Sequence, residues 1–172
     1  MNVQQRVRQF FHALAAPLVP TDFILIEQVL KPELRELFLR MAPAERNHSI
    51  QVYQTLTEQG HRDKDLLAAA LLHDVGKIQF PVRLYERVLI VLLTPLMRKL
   101  DKKPVKDRQS RLMNLMRAAA EHPQWGADLV QQAGGSEELA WLVRLHHDKL
   151  QHPPQNEKEQ QLLALQAADR KN

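Results

Sequence analysis

Apolar residues recur every three to four positions along most of the chain, which is the spacing of one face of an α-helix. Prolines and glycines separate these periodic stretches, and runs with the alternating pattern of a strand are few. The pattern therefore predicts an all-α fold in a single domain. The predicted helices cover residues 3–16, 23–41 with a bend at Pro32, 44–59, 63–74, 81–100, 108–121, 123–133, 136–147 and a last helix after Asn156.

Residues that begin and end helices stand at the borders of these stretches. Ser, Asp and Asn accept hydrogen bonds from the first free N–H groups of a helix, and Gly tolerates the conformation that ends one. Pro fits the first turn, where its missing N–H is no loss. We therefore assign helix starts to Asp63, Pro123, Ser136 and Asn156 (with Glu159), and helix ends to Gly60 and Gly134-Gly135.

The apolar run over residues 66–72 leads directly into His73 and Asp74. His73 continues one buried stripe of the predicted helix and Asp74 lies on the neighbouring stripe. A buried carboxylate is costly unless a cation or hydrogen-bond donors compensate it, and a metal ion would do so. Gly76 is expected to end the helix in the left-handed conformation and to turn Lys77 back toward it. The alternative is an ordinary helix C-terminus, at which His73 and Lys77 interact favourably with the negative end of the helix macrodipole.

The amino-acid composition excludes several kinds of functional site. The chain has 172 residues, of which 44% are hydrophobic, with eight His and no Cys. Disulfides, thiolate metal ligands and a Cys nucleophile are therefore excluded. The apolar stretches at residues 10–19 and 88–97 are too short to span a bilayer, and the first is a poor signal peptide. We expect a cytoplasmic protein without a transmembrane segment.

The net charge of +4 is concentrated in residues 81–108, which hold eight basic and three acidic side chains. Such a segment suits a phosphate-bearing partner, nucleic acid or a membrane surface. It also suits a solvated helix end and loop, the interpretation we favour. Arg83 and Arg87 lie one turn apart, where they would extend a positive potential toward an anionic substrate.

His146 and Asp169 each stand at the end of an apolar stripe of a predicted helix. His146 follows Leu139, Leu142 and Val143 at helical spacing, as a ligand or as a satisfied core histidine. His147 is about 100° away around the helix and shares that site only if the helix ends there. Asp169 follows Leu162 and Leu165 in the same way, unless the C-terminus is frayed and nothing there is buried.

The remaining histidines give weaker signals. His122 precedes a proline, which favours an extended conformation, and pattern alone makes it a surface cap at the mouth of a helix where Gly126 permits close approach. His48 lies off the apolar face formed by Ile50, Tyr53 and Leu56, so spacing does not indicate a ligand. His12, His61 and His152 have no partner pattern and are interpreted as surface or packing residues.

The ordered set resembles the HD-domain superfamily of metal-dependent phosphohydrolases over residues 45–169. The motifs that carry the resemblance are Asn47-His48-Ser49, Leu72-His73-Asp74-Val75-Gly76-Lys77, His122-Pro123-Gln124-Trp125-Gly126-Ala127, His146-His147-Asp148 and Gln166-Ala167-Ala168-Asp169. The resemblance implies an HD-domain-like helical bundle in which residues 1–41 are an N-terminal helical extension packed on the core. It also implies a basic metal site of His48, His73, Asp74 and Asp169. His122, His146 and His147 match the extra ligands of the two-metal branch that includes the cyclic-dinucleotide phosphodiesterases.

The resemblance further implies roles and an activity. Asp74 would bridge two ions, and Lys77 would face the substrate phosphate. Imidazole and carboxylate ligands without thiolate suit Mn, Fe, Ni, Co or Zn, and the place of Arg83 near the start of its predicted helix makes it a further candidate for binding the phosphate. A metal-bound hydroxide would then cleave a phosphate mono- or diester, with a nucleotide or cyclic dinucleotide as the expected substrate. The chain lacks the Gly-Tyr-Pro element of the cyclic di-GMP enzymes after Asp148, and Ala44 stands where some of those enzymes have a glutamate for a third metal.

Two other classes of function stay open. One is a non-catalytic HD module that senses a nucleotide or a metal, and the other is an adaptor for a membrane or nucleic acid that works through residues 81–108. The full ligand set favours the enzyme. We expect a small phosphorylated partner rather than nucleic acid, with a homodimer as one option for assembly.

Overall fold

The structure, a computed structural model, describes residues 23–79 and 120–172, and each regular element within those ranges is helical. The predicted all-α fold is confirmed. The predicted helices over 3–16 and 81–100, most of that over 108–121, and His12, Arg83 and Arg87 lie outside the described residues. In chain order the helices are α1 (Phe23–Val29), α2 (Pro32–Arg40), α3 (Pro43–Glu58), α4 (Lys64–Leu72), a 3-10 helix (Val75–Gln79), α5 (residues 120–132), α6 (Glu137–Leu145) and α7 (Glu157–Lys171).

Helix α4 is the centre of the fold. It contacts α3, α6 and α7, and α1 and α2 cover it as well. Every residue from Leu66 to Leu72 is at most 9% exposed. A helix that is apolar on all sides is stable only when other elements surround it. Each fully buried leucine contributes about 1.5–3 kcal/mol relative to an exposed one. The chain that leaves the end of α4 therefore starts inside the protein.

Prolines set the starts of α2 and α3. The predicted helix over residues 23–41 is two helices, because Pro32 opens α2 at its first position instead of bending a continuous helix. Lys31 before it is extended, as the residue before a proline prefers. Pro43 opens α3 in the same way after an extended Ala42. The prediction of one bent helix was therefore wrong, although the proline that interrupts it was identified.

The local signals at other helix ends are confirmed. Asp63 accepts a hydrogen bond from the Leu66 N–H at 2.9 Å, and Ser136 accepts one from Leu139 at 3.0 Å. Asn156 accepts one from the Glu159 N–H at 2.9 Å. Gly60 and Gly134 end α3 and α5 with φ of 91° and 73°, which L side chains rarely adopt.

Gly76 is required by the fold for a different reason from the one predicted. Within the described residues only Gly60 and Gly134 have positive φ, so Gly76 does not end α4 in the left-handed conformation. It lies in the 3-10 helix and touches α5: a Cβ on Gly76 would be 1.9 Å from the His122 carbonyl oxygen and 2.7 Å from the Gly126 nitrogen. A Cβ on Gly126 would lie 3.2 Å from the Gly76 nitrogen. Two glycines thus allow α5 to approach the chain that follows Asp74.

Helices α1 and α2 belong to the same core as α4. Ile26, Leu30, Leu34 and Phe38 are at most 4% exposed and pack in one cluster with the leucines of α4. Residues 23–41 therefore cover one side of the central helix. Among the residues described here, no helix combines the length and the apolar character needed to cross a membrane.

Candidate metal centre

The site begins where α4 ends. His73 is the C-terminal cap of α4, and its N–H donates to the Ala69 carbonyl at 2.8 Å. His73 and Asp74 form a turn before the 3-10 helix, and they are 1% and 4% exposed. The predicted burial of both residues is confirmed. The reason is broader than a single stripe, because all faces of α4 are buried and any residue at its end would be enclosed.

Asp74 lies between the other polar groups of the site. Its Oδ2 is 2.5 Å from the Lys77 ammonium and 3.7 Å from His73 Nε2. Its Oδ1 is 3.4 Å from His122 Nε2 and 3.9 Å from His146 Nε2. Burial raises the pKa of Asp74, but Lys77 first and then His73 outweigh it and hold that pKa well below its usual value. Asp74 is therefore a carboxylate with Oδ2 toward Lys77 and His73 and Oδ1 toward His122 and His146.

One cluster, which we call the His48 group, consists of His48, His73 and Asp169. One ligand atom from each lies within 4.8 Å of the others. His48 Nε2 is at hydrogen-bonding distance, 2.9 Å, from Asp169 Oδ1, and His73 Nε2 is 3.6 Å from the same oxygen. Burial raises the pKa of Asp169, but the hydrogen bond with His48 and the neighbouring His73 outweigh it and lower that pKa far below the usual range. Helices α3, α4 and α7 thus meet at an ionised carboxylate.

A second cluster, the His122 group, consists of His122, His146 and His147, whose ligand atoms also lie within 4.8 Å of one another. The His122 ring is 5.3 Å from that of His146 and 5.0 Å from that of His147, centroid to centroid. The rings of His146 and His147 are 4.0 Å apart, centroid to centroid. Helix α6 ends at Leu145, so the condition under which His147 shares the site with His146 is met. Asp74 lies between the His122 group and the His48 group.

Hydrogen bonds to the backbone orient two of the buried rings. His73 Nδ1 donates to the Ala70 carbonyl at 3.0 Å, and His146 Nδ1 donates to the Val143 carbonyl at 2.7 Å. Their Nε2 atoms are therefore turned toward Asp74, and within the described residues neither has a hydrogen-bond partner. Holding one ring nitrogen in this way fixes the other as the ligand atom, the usual arrangement at metal sites.

The protonation of these rings differs across the site. Burial, and then the charge on His73, lower the pKa of His146 well below 6.5, so its ring is neutral near pH 7. Burial and then His122 lower the pKa of His147. Burial also disfavours the charged form of His73, but Asp74 and Asp169 outweigh it and raise the pKa of His73. Protonation is therefore disfavoured at His146 and His147 and favoured at His73, which lies beside Asp74 and Asp169.

The site has a buried floor and an open rim. His73, His122 and His146 are at most 2% exposed, whereas about a third of the Lys77 side chain is accessible. His48 and Asp169 are partly exposed and His147 is exposed. Within residues 23–79 and 120–172, the ammonium and the rims of the two groups are therefore accessible on one side, while the protein core closes the other.

Two predictions from local pattern were wrong. His122 is helical and only 2% exposed, so it is neither extended nor a surface cap. The predicted break between Glu121 and Pro123 is absent, because residues 120–132 form one helix. The close approach expected at Gly126 does occur, and it brings His122 to Asp74.

The face of α3 was also misjudged. Ile50 and Tyr53 are only half-buried, and the buried face is Ser49, Val52 and Leu56. His48 precedes Val52 by one helical turn and so borders that face. The low apolar content of this turn, with Glu45 and Ser49 both buried, concealed it. Periodicity of apolar residues alone therefore gave no signal for His48.

The structure decides the remaining expectations near the site. Helix α7 continues to Lys171, past Asp169, so the C-terminal turn is not frayed. His61 and His152 are in neither group, in agreement with their interpretation as surface or packing residues. Gln166, which has no assigned role in the pattern analysis, contacts the turn that carries His146 and His147.

The donor set fits a divalent transition metal. Each group offers three ligand atoms, with Asp74 beside both, and all of the donors are imidazole nitrogens or carboxylate oxygens. Mn, Fe, Co, Ni and Zn accept such ligands, and geometry rather than intrinsic affinity selects among them. The oriented Nε2 atoms of His73 and His146 are what a metal ligand requires.

A family model described as the HD domain matches residues 46–171 of this chain. The match covers most of the chain and includes every residue of the two groups. No curated protein and no solved structure gives a significant match.

Proposed function

This chain belongs to the HD-domain family, and from that premise we propose that it is a phosphohydrolase with two metal ions. The family supports a metal-dependent hydrolase in general terms. The observation that carries the finer proposal is the position of Asp74 between two histidine-rich ligand groups, with one carboxylate oxygen toward each.

We assign one ion to the His48 group and Asp74 Oδ2, and the other to the His122 group and Asp74 Oδ1. This assignment is supported by the orientation of Nε2 in His73 and His146 and by the ionised state of Asp74. The Lys77 ammonium contacts the same Oδ2. Asp74 would therefore contribute to both sites.

When bound, such a pair of ions supplies Lewis acidity and lowers the pKa of bound water, which removes the need for a Ser or Cys nucleophile. The chain's own residues bind and orient the substrate. Lys77, on the open rim, would donate to a phosphate oxygen and stabilise charge that develops in the transition state. The apolar core behind His73 would keep water away from the far side of the site.

The substrate we propose is a phosphate mono- or diester, with a nucleotide or cyclic dinucleotide as the first class to test. Lys77 and the open rim suit a small phosphorylated molecule. The missing Gly-Tyr-Pro element weighs against cyclic di-GMP. We also propose that residues 1–172 form one HD domain with residues 1–41 as an extension. The support is that α1 and α2 share the core of α4.

The test combines metal analysis with turnover. Purified protein would be analysed for metal content, then assayed on phosphate monoesters, linear dinucleotides and cyclic dinucleotides. His73→Ala is expected to abolish turnover and to reduce metal content. His152→Ala removes an exposed histidine outside both groups and serves as the matched control, expected to behave as wild type.

Two outcomes would contradict the proposal. A metal-loaded protein with no turnover on any ester would favour the non-catalytic sensing module. Association with lipid or nucleic acid that survives His73→Ala would favour the adaptor, because that binding would not depend on the metal centre.

A further inference from the structure

Gln166 is a buried polar residue on α7, one turn before Asp169, and it is 6% exposed. Its Nε2 donates two hydrogen bonds, one to the Leu145 carbonyl at 3.1 Å and one to the Asp148 carbonyl at 2.7 Å. Both acceptors are backbone atoms, one at the last residue of α6 and one just after the helix ends. A buried amide with both N–H groups in use is costly to disturb, because a buried polar group that loses its hydrogen-bond partner pays a desolvation penalty.

The two acceptors flank the His146-His147 pair in sequence. Leu145 is the last residue of α6 and Asp148 is the first residue after the pair, and the Asp148 N–H itself donates to the Leu145 carbonyl at 2.8 Å. The end of a helix leaves carbonyls without intrahelical partners. Gln166, on α7, donates to the carbonyls at the end of α6. It therefore holds both sides of the short segment that carries His146 and His147.

Gln166 also connects the two ligand groups. The helix that carries it carries Asp169 of the His48 group, whereas the segment it holds carries His146 and His147 of the His122 group. We propose that Gln166 is a positioning residue that places the His146 and His147 rings so that the His122 group can hold an ion. This inference rests on the proposed two-metal function.

A purely structural tie between α6 and α7 would give a different result. Such a tie would lower the melting temperature and weaken both ions together, because the whole α6–α7 contact would loosen. A positioning role concerns only the segment between the two carbonyls. The ion held by His146 and His147 would then be weakened, while the His48 group, on α3, α4 and α7, would keep its own ion.

The experiment compares Gln166→Met with Gln161→Met. Gln161 is on the same helix and similarly buried, at 8%, and its side-chain oxygen has no hydrogen-bond partner among the described residues. Metal-free protein would be titrated with Co²⁺, following visible absorption, with melting curves recorded in parallel. His147→Ala, a change at an exposed residue, identifies which of the two absorption changes belongs to the His122 group.

Gln166→Met is expected to weaken the ion affected by His147→Ala by roughly 10–100-fold, the usual effect of removing a residue that orients ligands, and to change the other by much less. Gln161→Met should bind both as wild type does. Equal weakening of both ions by Gln166→Met, or weakening of neither, would overturn the positioning role and leave the proposed function standing. A wild-type protein that binds no Co²⁺ would overturn the proposed function and this inference together.

If Gln166→Met does not fold, Gln166→Asn takes its place. Asn keeps the amide but is one methylene shorter, so it cannot reach both carbonyls from the same backbone position. The same selective loss at the His122 group is expected. Equal loss at both groups, or no loss, would overturn the proposal on this variant as well.

Discussion

Replacing Gly76 with alanine is expected to separate α5 from the chain that follows Asp74. The new Cβ would lie 1.9 Å from the His122 carbonyl oxygen and 2.7 Å from the Gly126 nitrogen, and real Cβ contacts are essentially never under 3.0 Å. Both atoms are backbone, so no rotamer change relieves the clash. Helix α5 must therefore retreat by roughly one ångström, a case of overpacking in a close-packed interior.

The expected cost follows from that displacement. Overpacking typically costs about 1–3 kcal/mol, and a backbone clash belongs at the upper end of that range. For a chain of this size 1 kcal/mol shifts the melting temperature by roughly 2–4 °C, so a fall of roughly 5–10 °C is expected. His122 Nε2 is 3.4 Å from Asp74 Oδ1 and moves with α5. Metal–ligand distances tolerate only about ±0.2 Å, so the ion of the His122 group should be lost.

Gly60→Ala is the matched control. Gly60 has φ of 91°, and a Cβ added there would have nothing within 4 Å, so alanine is strained at this position but does not clash. The strain costs about 1–2 kcal/mol, a loss of stability that overlaps the range for Gly76→Ala. Melting curves of the metal-free proteins and Co²⁺ titrations would be recorded for both variants. If Gly76→Ala binds two ions with wild-type affinity, the close approach of α5 does not set the position of His122 and the reasoning fails.

Three further predictions concern the centre of the site. Asp74→Ala should abolish turnover and lower the melting temperature of the metal-loaded protein, because metal binding contributes to folding free energy; wild-type melting with full metal content would show that Asp74 is not the bridge. Lys77→Ala should lower turnover by about 10²–10³-fold with metal content unchanged, and a loss of metal instead would place Lys77 in the metal-binding set. The raised pKa of His73 means that the metal-free fold gains stability from its protonation below pH 6.5 and loses it as the pH rises through the folded-state pKa. Metal affinity should therefore rise with pH from about 6.5 upward, because the metal must displace this proton. Calorimetry in buffers of different ionisation enthalpy would detect the released proton. A metal affinity that does not change with pH would contradict the prediction.

Signals that act over a few residues were predictable from the sequence. The caps at Asp63, Ser136 and Asn156 join a side chain to an N–H three residues later, so the sequence contains both partners at a known spacing. The all-α fold and the burial of His73 follow from periodicity and from the apolar run of α4. These features depend on neighbours along the chain, and pattern analysis identifies them.

Features that depend on distant parts of the chain were missed or misread. Gly76 must be glycine because the backbone of α5 lies against it. The contacting residue His122 is 46 positions later in the chain, so the sequence near Gly76 does not reveal the contact. His48 meets Asp169 across 121 residues, and its face of α3 is buried with polar residues that periodicity does not count. Only the resemblance to a family placed these residues in one site. Its assignment of metal ligands stays a prediction.

The contact between His48 and Asp169 has a consequence for the order of events during synthesis. The two residues are 121 positions apart and come from helices α3 and α7. Translation therefore presents His48 and His73 well before Asp169, and the His48 group cannot form until α7 has been made and has packed against α3 and α4. Formation of this group would therefore report on the docking of α7.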